Sequence, residues 1–373
     1  MRVTFVLPDA NLGGGTRVIA KFAEELKQRG HTVFISSSPR AVPGLRYKVE
    51  SFLKGKGWPD VPLYPQSHLD GLDLEHQRRD RRRKLRDSDV PEADVVVGTW
   101  WETAEWMADL SPTRGAKAYF IQQYEANFGM PDDRVAETWR MPMQKIVCSG
   151  WLADLARDRF GDPTAQVCPN GIDLDQFHAP PRGKQAVPTI GFLYSTHPVK
   201  GLDISLAVAE ATRRVLPDLR LRVFGTEEIL PGHLLPDYAD YTRTPPQDTI
   251  REIYAECDVW LCSSRSEGFH LPPHEAMACR TPVVATRVGG PVELIEEGVN
   301  GYLADVDDVE TLARRVIQIL TLSDPDWRRM SDAALETARR ETWVHATDRF
   351  EKALELAVER FGSRRHDDTA TRV

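Results

Sequence analysis

Short apolar runs alternate with longer stretches of helical periodicity along most of this chain. Val3-Thr4-Phe5-Val6-Leu7 is followed by Val18, Ile19, Phe22 and Leu26, spaced as one face of a helix over Thr16–Gln28. Further apolar runs at Thr32–Ser36, Ala93–Gly98, Ala118–Gln122, Lys145–Cys148, Ala165–Cys168, Thr189–Leu193, Arg220–Phe224, Val259–Cys262, Pro282–Ala285 and Gly301–Ala304 read as strands. Helical spacing returns at Leu202–Val215, Gln247–Glu256, Pro272–Ala278 and Val309–Leu320. Buried strands separated by helices predict α/β architecture with parallel sheets.

The segment Ala179-Pro180-Pro181-Arg182-Gly183-Lys184 has linker chemistry, and a second strand–helix series starts at Thr189. Two domains are therefore expected, 1–180 and 181–345, each with its own sheet. Residues 346–362 form a closing helix, and the polar residues 363–373 are expected to be disordered. Residues 39–90, rich in proline, aromatics and arginine, are expected to hold loops and one basic helix.

At 373 residues the chain is long enough for two cores, and 28% charged residues fit a soluble globular protein. No apolar run approaches the roughly 20 residues of a membrane span, and the first strand starts at once, without a signal-peptide pattern. The five cysteines form no C-x-x-C pair and lack histidine partners at zinc spacing, so no metal site and a reducing, cytoplasmic setting are expected. The net charge of −8 is uneven: residues 1–90 carry 17 Lys/Arg against 11 Asp/Glu. A basic half on an acidic chain fits an anionic partner or a solvated face.

The strongest chemical signal is the stretch from Ser264 to Ala278, which reads Ser-Arg-Ser-Glu-Gly-Phe-His-Leu-Pro-Pro-His-Glu-Ala-Met-Ala. A strand ends at Cys262, and a helix opens at Pro272-Pro273, where the missing N–H groups cost nothing. Backbone N–H groups of Gly268, Phe269, His270 and Leu271 in such a turn suit an anion, at the sheet edge where open α/β sheets bind ligands. Glu267 and Glu275 flank the turn. A carboxylate accepts vicinal hydroxyls well, so the pair suits a ligand with hydroxyls at each end and phosphate between. Alone, Glu275 reads equally as a first-turn carboxylate favoured by the helix dipole. Lys200, in the loop 194–201 after another strand, is a candidate phosphate charge.

The second half resembles the family 4 retaining glycosyltransferases of the GT-B fold, whose segment reads E-G-F-G-L-P-x-x-E-A-M-A. Here it stands as Glu267 to Ala278. Asn170-Gly171-Ile172-Asp173 with Phe177, Lys200-Gly201, Phe224-Gly225, Gly289-Gly290 with Glu293, and Gly298-Val299-Asn300-Gly301 match as well. The resemblance implies two Rossmann-like domains facing across a cleft, with a last helix crossing back to the first. It implies Glu275 on the ribose, Glu267 on the transferred sugar, residues 268–271 and Lys200 on the diphosphate, and Tyr241–Thr244, with Thr244, on the base. Ser195 stands where the family carries an arginine, which passes phosphate contact to Lys200, Arg265 or His197. His270 replaces a glycine and brings a side chain to the donor. Arg280 replaces the glycine that closes the helix.

In the first half, Gly13-Gly14-Gly15 precede a helix, and Gly14 and Gly15 are expected at the donor diphosphate. This is not the G-x-G-x-x-G pattern of a nicotinamide site. Gln122 stands where the family often has a histidine and is a candidate catalytic or sugar-binding group. Trp100 and Trp101, at a strand end, either stack on an acceptor sugar or fill core. Gln122-Gln123-Tyr124-Glu125 weakly resembles polysaccharide- and rhamnan-building members.

Arg78, Arg79, Arg82, Arg83 and Arg86 would share one helix face. That face is expected either to approach an anionic membrane carrying a lipid-linked acceptor, or an anionic glycan, or to be merely solvated; without interleaved aromatics, nucleic acid is not expected. The expected reaction moves a sugar from a nucleotide-diphosphate donor to a glycan or lipid-linked hydroxyl, with retention and without metal or other cofactor. A degenerate nucleotide-sugar-binding or assembly protein, and another GT-B enzyme such as an epimerase, are the alternatives.

Overall fold

The structure, a computed structural model, describes residues 1–41, 44–53 and 62–370. It divides into two compact units: Met1–Cys168 with Thr347–Val373, and Pro169–Ala346.

The first unit holds β1 (Arg2–Leu7), α1 (Gly14–Gln28), β2 (Thr32–Ser37), α2 (Leu45–Leu53), β3 (Glu75–Arg78) and β4 (Val95–Gly98). It continues with α3 (Trp101–Met107), β5 (Ala116–Ile121), α4 (Asp132–Arg140), β6 (Gln144–Val147), α5 (Gly150–Phe160) and β7 (Gln166–Val167). Its seven strands run parallel in the order β3-β2-β1-β4-β5-β6-β7. The second unit holds β8 (Thr189–Tyr194), α6 (Leu202–Val215), β9 (Arg220–Gly225), β10 (Ala239–Arg243), α7 (Ile250–Ala255), β11 (Val259–Cys262) and α8 (Leu271–Ala278). After these come β12 (Val283–Thr286), α9 (Pro291–Leu294), β13 (Gly301–Ala304), α10 (Val309–Leu320) and α11 (Asp324–Arg339). Its six parallel strands run β10-β9-β8-β11-β12-β13. In both sheets the order reverses beside the unit's first strand, which makes β1/β4 and β8/β11 the switch points where such sheets bind ligands.

The last helix, α12 (Trp343–Ala370), starts in the second unit and runs on into the first. There Phe350 is fully buried, stacked on Phe22 at 4.3 Å and edge-on to Phe120 at 5.2 Å. Glu351 accepts from Arg29 at 2.9 Å and pairs with His31 at 2.7 Å. An aromatic plug with a charged collar fixes the helix far more firmly than its own helix propensity would. The expected disordered tail is helical through Ala370; past Gly362 no residue up to 370 breaks a helix, while 371–373 lie outside the described residues.

The domain boundary also moves. Residues 169–180 belong with the second unit because Ile172 bridges Thr342 and Phe177 packs against Tyr254 at 6.1 Å.

Residues 78–86 form no helix: Arg78 ends the edge strand β3, paired opposite Ser37, and the chain then turns irregularly. Arg79 is buried, bonded to Ser38 and to the Arg83 carbonyl (2.9 Å), with Trp106 under its guanidinium at 5.0 Å. Arg82 reaches the Pro8 carbonyl (2.8 Å) and Glu102, Arg83 pairs with Asp89, and Arg78 with Asp70. The run has no apolar stripe to hold a helix on the core, so the arginines serve instead as local ties. The single helix face expected to gather these arginines is therefore not built. Among the described residues no helix is long and apolar enough to cross a membrane.

Candidate functional site

The loop after β8 and the loop after β11 meet at the second unit's switch point. Gly201 follows Lys200 with φ +66°, and a Cβ there would lie 2.1 Å from the Ser263 carbonyl oxygen, so only glycine fits. Ser263 Oγ donates to the Gly201 carbonyl at 2.7 Å and meets Ser205 Oγ at 2.7 Å. This clasp sets Lys200 over the 263–270 loop. Lys200 Nζ donates to both carboxylate oxygens of Glu267, at 2.7 and 3.0 Å, and Ser264 Oγ donates to Oε1 at 2.7 Å.

Glu267 is buried. Burial alone would push its carboxyl up; the charge His270 can carry, the Lys200 ammonium, and the bonds from Lys200 and Ser264 hold it below the usual range. His270 adopts φ 78° and its side chain is buried, with Nε2 3.6 Å from Glu267 Oε1 and Nδ1 without a hydrogen-bond partner. Burial pushes its pKa down to about 4 against the pull of Glu267, so the ring is neutral at pH 7. Lys200, Cys262, Ser263, Ser264, His270 and Pro272 line a small cavity of about 20 Å³.

The turn is braced from the far side. Gly290 N–H donates to the Phe269 carbonyl at 2.6 Å, and Gly289, at φ +61°, sits against Gly268 and Phe269 so closely that a Cβ would lie 3.0 Å from the Phe269 oxygen. Pro272 and Pro273 open α8 and carry no N–H, so the backbone N–H groups of the turn are those of Gly268, Phe269, His270 and Leu271. Glu275, one turn into α8, is buried and accepts from Tyr254 Oη at 2.7 Å.

Other expected groups are placed differently. Arg265 does not serve the turn: it pairs with Asp203 at 2.7 Å and Asp307 at 2.8 Å and donates to the Pro198 carbonyl. His197 caps its own loop by accepting from Val199 N–H at 3.3 Å. The Ser195 hydroxyl donates to Glu227 at 2.9 Å, and Thr196 N–H to the same carboxylate at 3.0 Å. Glu227 was not singled out from sequence; its signal is a carboxylate two residues beyond Phe224-Gly225 at a strand end. The Tyr241 hydroxyl donates to the Glu227 carbonyl at 2.6 Å, which joins the Ser195 loop to the segment expected at the base. Thr244 ends that segment, exposed, with φ 48°. Arg280 keeps the left-handed turn expected of glycine, with φ 60°, anchored by Asp332 and the Ala179 carbonyl.

In the first unit, Gly14 and Gly15 are exposed at the start of α1, and Gln122 Nε2 lies 3.4 Å from the Gly15 carbonyl. Trp100 is half-buried at the N-cap of α3, and Trp101 is core, with the Arg134 guanidinium 4.4 Å over its ring. Glu125 is buried and accepts from Tyr119 Oη at 2.9 Å. Among the described residues no cluster of His, Cys, Asp and Glu could hold a metal ion.

Residues 187–322 match the family model described as Glycosyl transferases group 1. D-inositol 3-phosphate glycosyltransferase of Saccharomonospora viridis is 32% identical over 242 residues, covering 57% of this chain and 54% of that protein. N-acetyl-alpha-D-glucosaminyl L-malate synthase of Bacillus anthracis is 45% identical over 74 residues, 20% of this chain and 19% of its own. The chain thus spans about half the length of the first of these relatives and less of the second. Among solved structures, Anabaena Alr3699/HepE in complex with UDP and glucose shares the fold with a TM-score of 0.70 at 16% identity, over 95% of this chain and 100% of that one. Sucrose-phosphate synthase from Thermosynechococcus elongatus does so with a TM-score of 0.67 at 16% identity, over 100% of both chains. The fold is GT-B: two Rossmann-like units with parallel sheets of seven and six strands.

Proposed function

We infer, from a chain that carries a group 1 glycosyl transferase domain of the family 4 type over residues 187–322, that it transfers a sugar from a nucleotide-diphosphate donor to a hydroxyl acceptor. The observation that carries this reading is the turn between two buried carboxylates, Glu267 and Glu275, with Lys200 beside it at the switch point of the second sheet. Glu275 takes the ribose hydroxyls, in the manner of a carboxylate on a dinucleotide ribose. The N–H groups of residues 268–271 and Lys200 meet the diphosphate, and Glu267 meets the transferred sugar. The first unit takes the acceptor, a glycan or lipid-linked hydroxyl, with Gln122 and Trp100 as its candidate contacts. The structural relatives bound to UDP or UDP-glucose support a nucleotide-sugar donor.

The reaction retains configuration. The acceptor oxygen bonds to the anomeric carbon on the face the diphosphate leaves, the carbon–phosphate oxygen bond breaks, and the acceptor proton passes to the departing diphosphate. The protein's main contribution is fixed positive charge and N–H donors where negative charge grows. Lys200 and the backbone supply that role, so divalent metal is not needed. Product anomers read by NMR should match the donor, with activity unchanged by chelation. Clean inversion, or loss of activity restored by added metal, would contradict the mechanism. Slow hydrolysis of the donor without acceptor separates an enzyme from a binding protein.

A further inference from the structure

Beside the turn, Lys200 and Glu267 balance each other's charge, a balance that a bound diphosphate would disturb. Lys200 and Glu267 neutralise each other at 2.7 Å, and Arg265 is spent on Asp203 and Asp307. A diphosphate that draws Lys200 towards itself leaves the Glu267 carboxylate buried beside a second anion. One group stands ready to answer that. His270 Nε2 lies 3.6 Å from Glu267 Oε1, while buried Nδ1 has no partner and the ring lines the cavity shared with Lys200. Its backbone is held at φ 78°, where residues other than glycine are strained. A buried nitrogen without a partner and a strained backbone both cost stability.

We propose that His270 is a positioning residue that takes a proton from solvent as the donor binds, replacing Lys200 as the cation paired with Glu267. The inference rests on the donor reading above. Three titratable groups face the ring: Glu267 from its own loop, Lys200 from the loop after β8, and Cys262 at the end of β11. Cys262 stays un-ionised, since burial pushes its thiol well up. With Lys200 on Glu267, burial and the Lys200 ammonium both disfavour the imidazolium, against the pull of Glu267. Donor binding reverses the second of these and adds an anion, so every electrostatic change favours protonation. The resting pair Lys⁺–Glu⁻ beside neutral His becomes Lys⁺–diphosphate beside His⁺–Glu⁻. One proton comes from solvent, and no charge is left buried alone.

The test uses sugar nucleotides, whose esterified phosphates do not titrate between pH 6 and 8. UDP-glucose, UDP-N-acetylglucosamine, GDP-mannose and dTDP-rhamnose are screened by thermal shift. The binder is then titrated calorimetrically at pH 7 in buffers of different ionisation enthalpy. Wild type should take up about half to one proton per donor bound, and its affinity should fall up to roughly tenfold per pH unit above neutrality. His270→Gln, and His270→Gly, which relieves the left-handed backbone, should bind with no uptake and a flat profile. Binding without uptake in wild type, or equal uptake in either variant, overturns this inference and leaves the donor reading intact. Failure of all four to bind removes the donor reading and this inference with it.

Discussion

Lys200 Nζ sits 2.7 Å from one carboxylate oxygen of Glu267 and 3.0 Å from the other, in a turn where the carboxylate is almost wholly excluded from solvent. The ammonium is partly exposed, the carboxylate is not. The pair is thus a buried anion held by a cation that a ligand can reach.

Removing one partner should therefore hurt more than removing both. Lys200→Ala leaves a buried carboxylate with Ser264 as its remaining direct donor and should cost about 1–3 kcal/mol of stability. Adding Glu267→Gln to it should recover part of that loss. Denaturant melts of the four proteins in the cycle check this; a double variant whose loss equals the sum of the two single losses would mean the pair is not coupled.

Glu125 sets an opposite pH trend in the first unit. Burial raises its pKa to about 7, with the Tyr119 hydroxyl donating to one oxygen. The unfolded chain releases this proton near pH 4.5, and the folded chain keeps it to about 7. The folded state binds more protons in that window, so this contribution to stability is lost as pH rises through it. The shift corresponds to about 3 kcal/mol. Glu125→Gln keeps an acceptor for Tyr119 and cannot ionise. It should melt above wild type at pH 8 and level with it at pH 4.5.

The arginine run 78–86 separates structural from solvated charge. Arg79 is buried against Trp106, whereas the Arg81 side chain is 82% exposed, with Asp80 at 3.7 Å. Arg79→Gln should lower stability by about 1–3 kcal/mol, by stripping donors from Ser38 and the Arg83 carbonyl. Arg81→Gln should change it by less than about 0.5 kcal/mol. Thermal melts distinguish them, and equal effects would refute the assignment.

These residues also mark where the sequence was legible. Central strands such as β1, β8 and β11 are buried runs of Val, Ile, Leu, Phe and Trp, and their hydrophobicity announces them. The edge strands β3, Glu-His-Gln-Arg, and β10, Ala-Asp-Tyr-Thr-Arg, are polar and partly exposed, so no apolar pattern reveals them. Missing β3 is what left its arginines free to be read as a helix. In the second unit, Lys200, Glu267 and His270 lie together because their loops follow the adjacent strands β8 and β11, and each loop is marked in the sequence by glycine, proline and charge. Neither the commitment of Arg265 to Asp203 and Asp307 nor that of Ser195 to Glu227 could be read, since each spans 32 to 62 residues of sequence. Trp101 as core and Trp100 as partly exposed followed from where α3 begins, which two adjacent tryptophans do not disclose.

In the function proposed above, the turn between Glu267 and Glu275 holds a nucleotide diphosphate by its ribose end at Glu275. The most direct measurement is calorimetric titration of UDP, GDP and dTDP into wild type, Glu275→Ala, Glu275→Gln and Glu267→Ala, each first shown to be folded. Glu275→Gln keeps an acceptor for the Tyr254 hydroxyl and controls for lost packing. Wild type should bind one of the three, and Glu275→Ala should weaken it by about 1–3 kcal/mol, roughly fivefold to over a hundredfold. Glu275→Gln should bind between these two, and Glu267→Ala should bind the free diphosphate within a few-fold of wild type. Binding as tight as wild type in both alanine variants would contradict the assignment of this turn as the donor site.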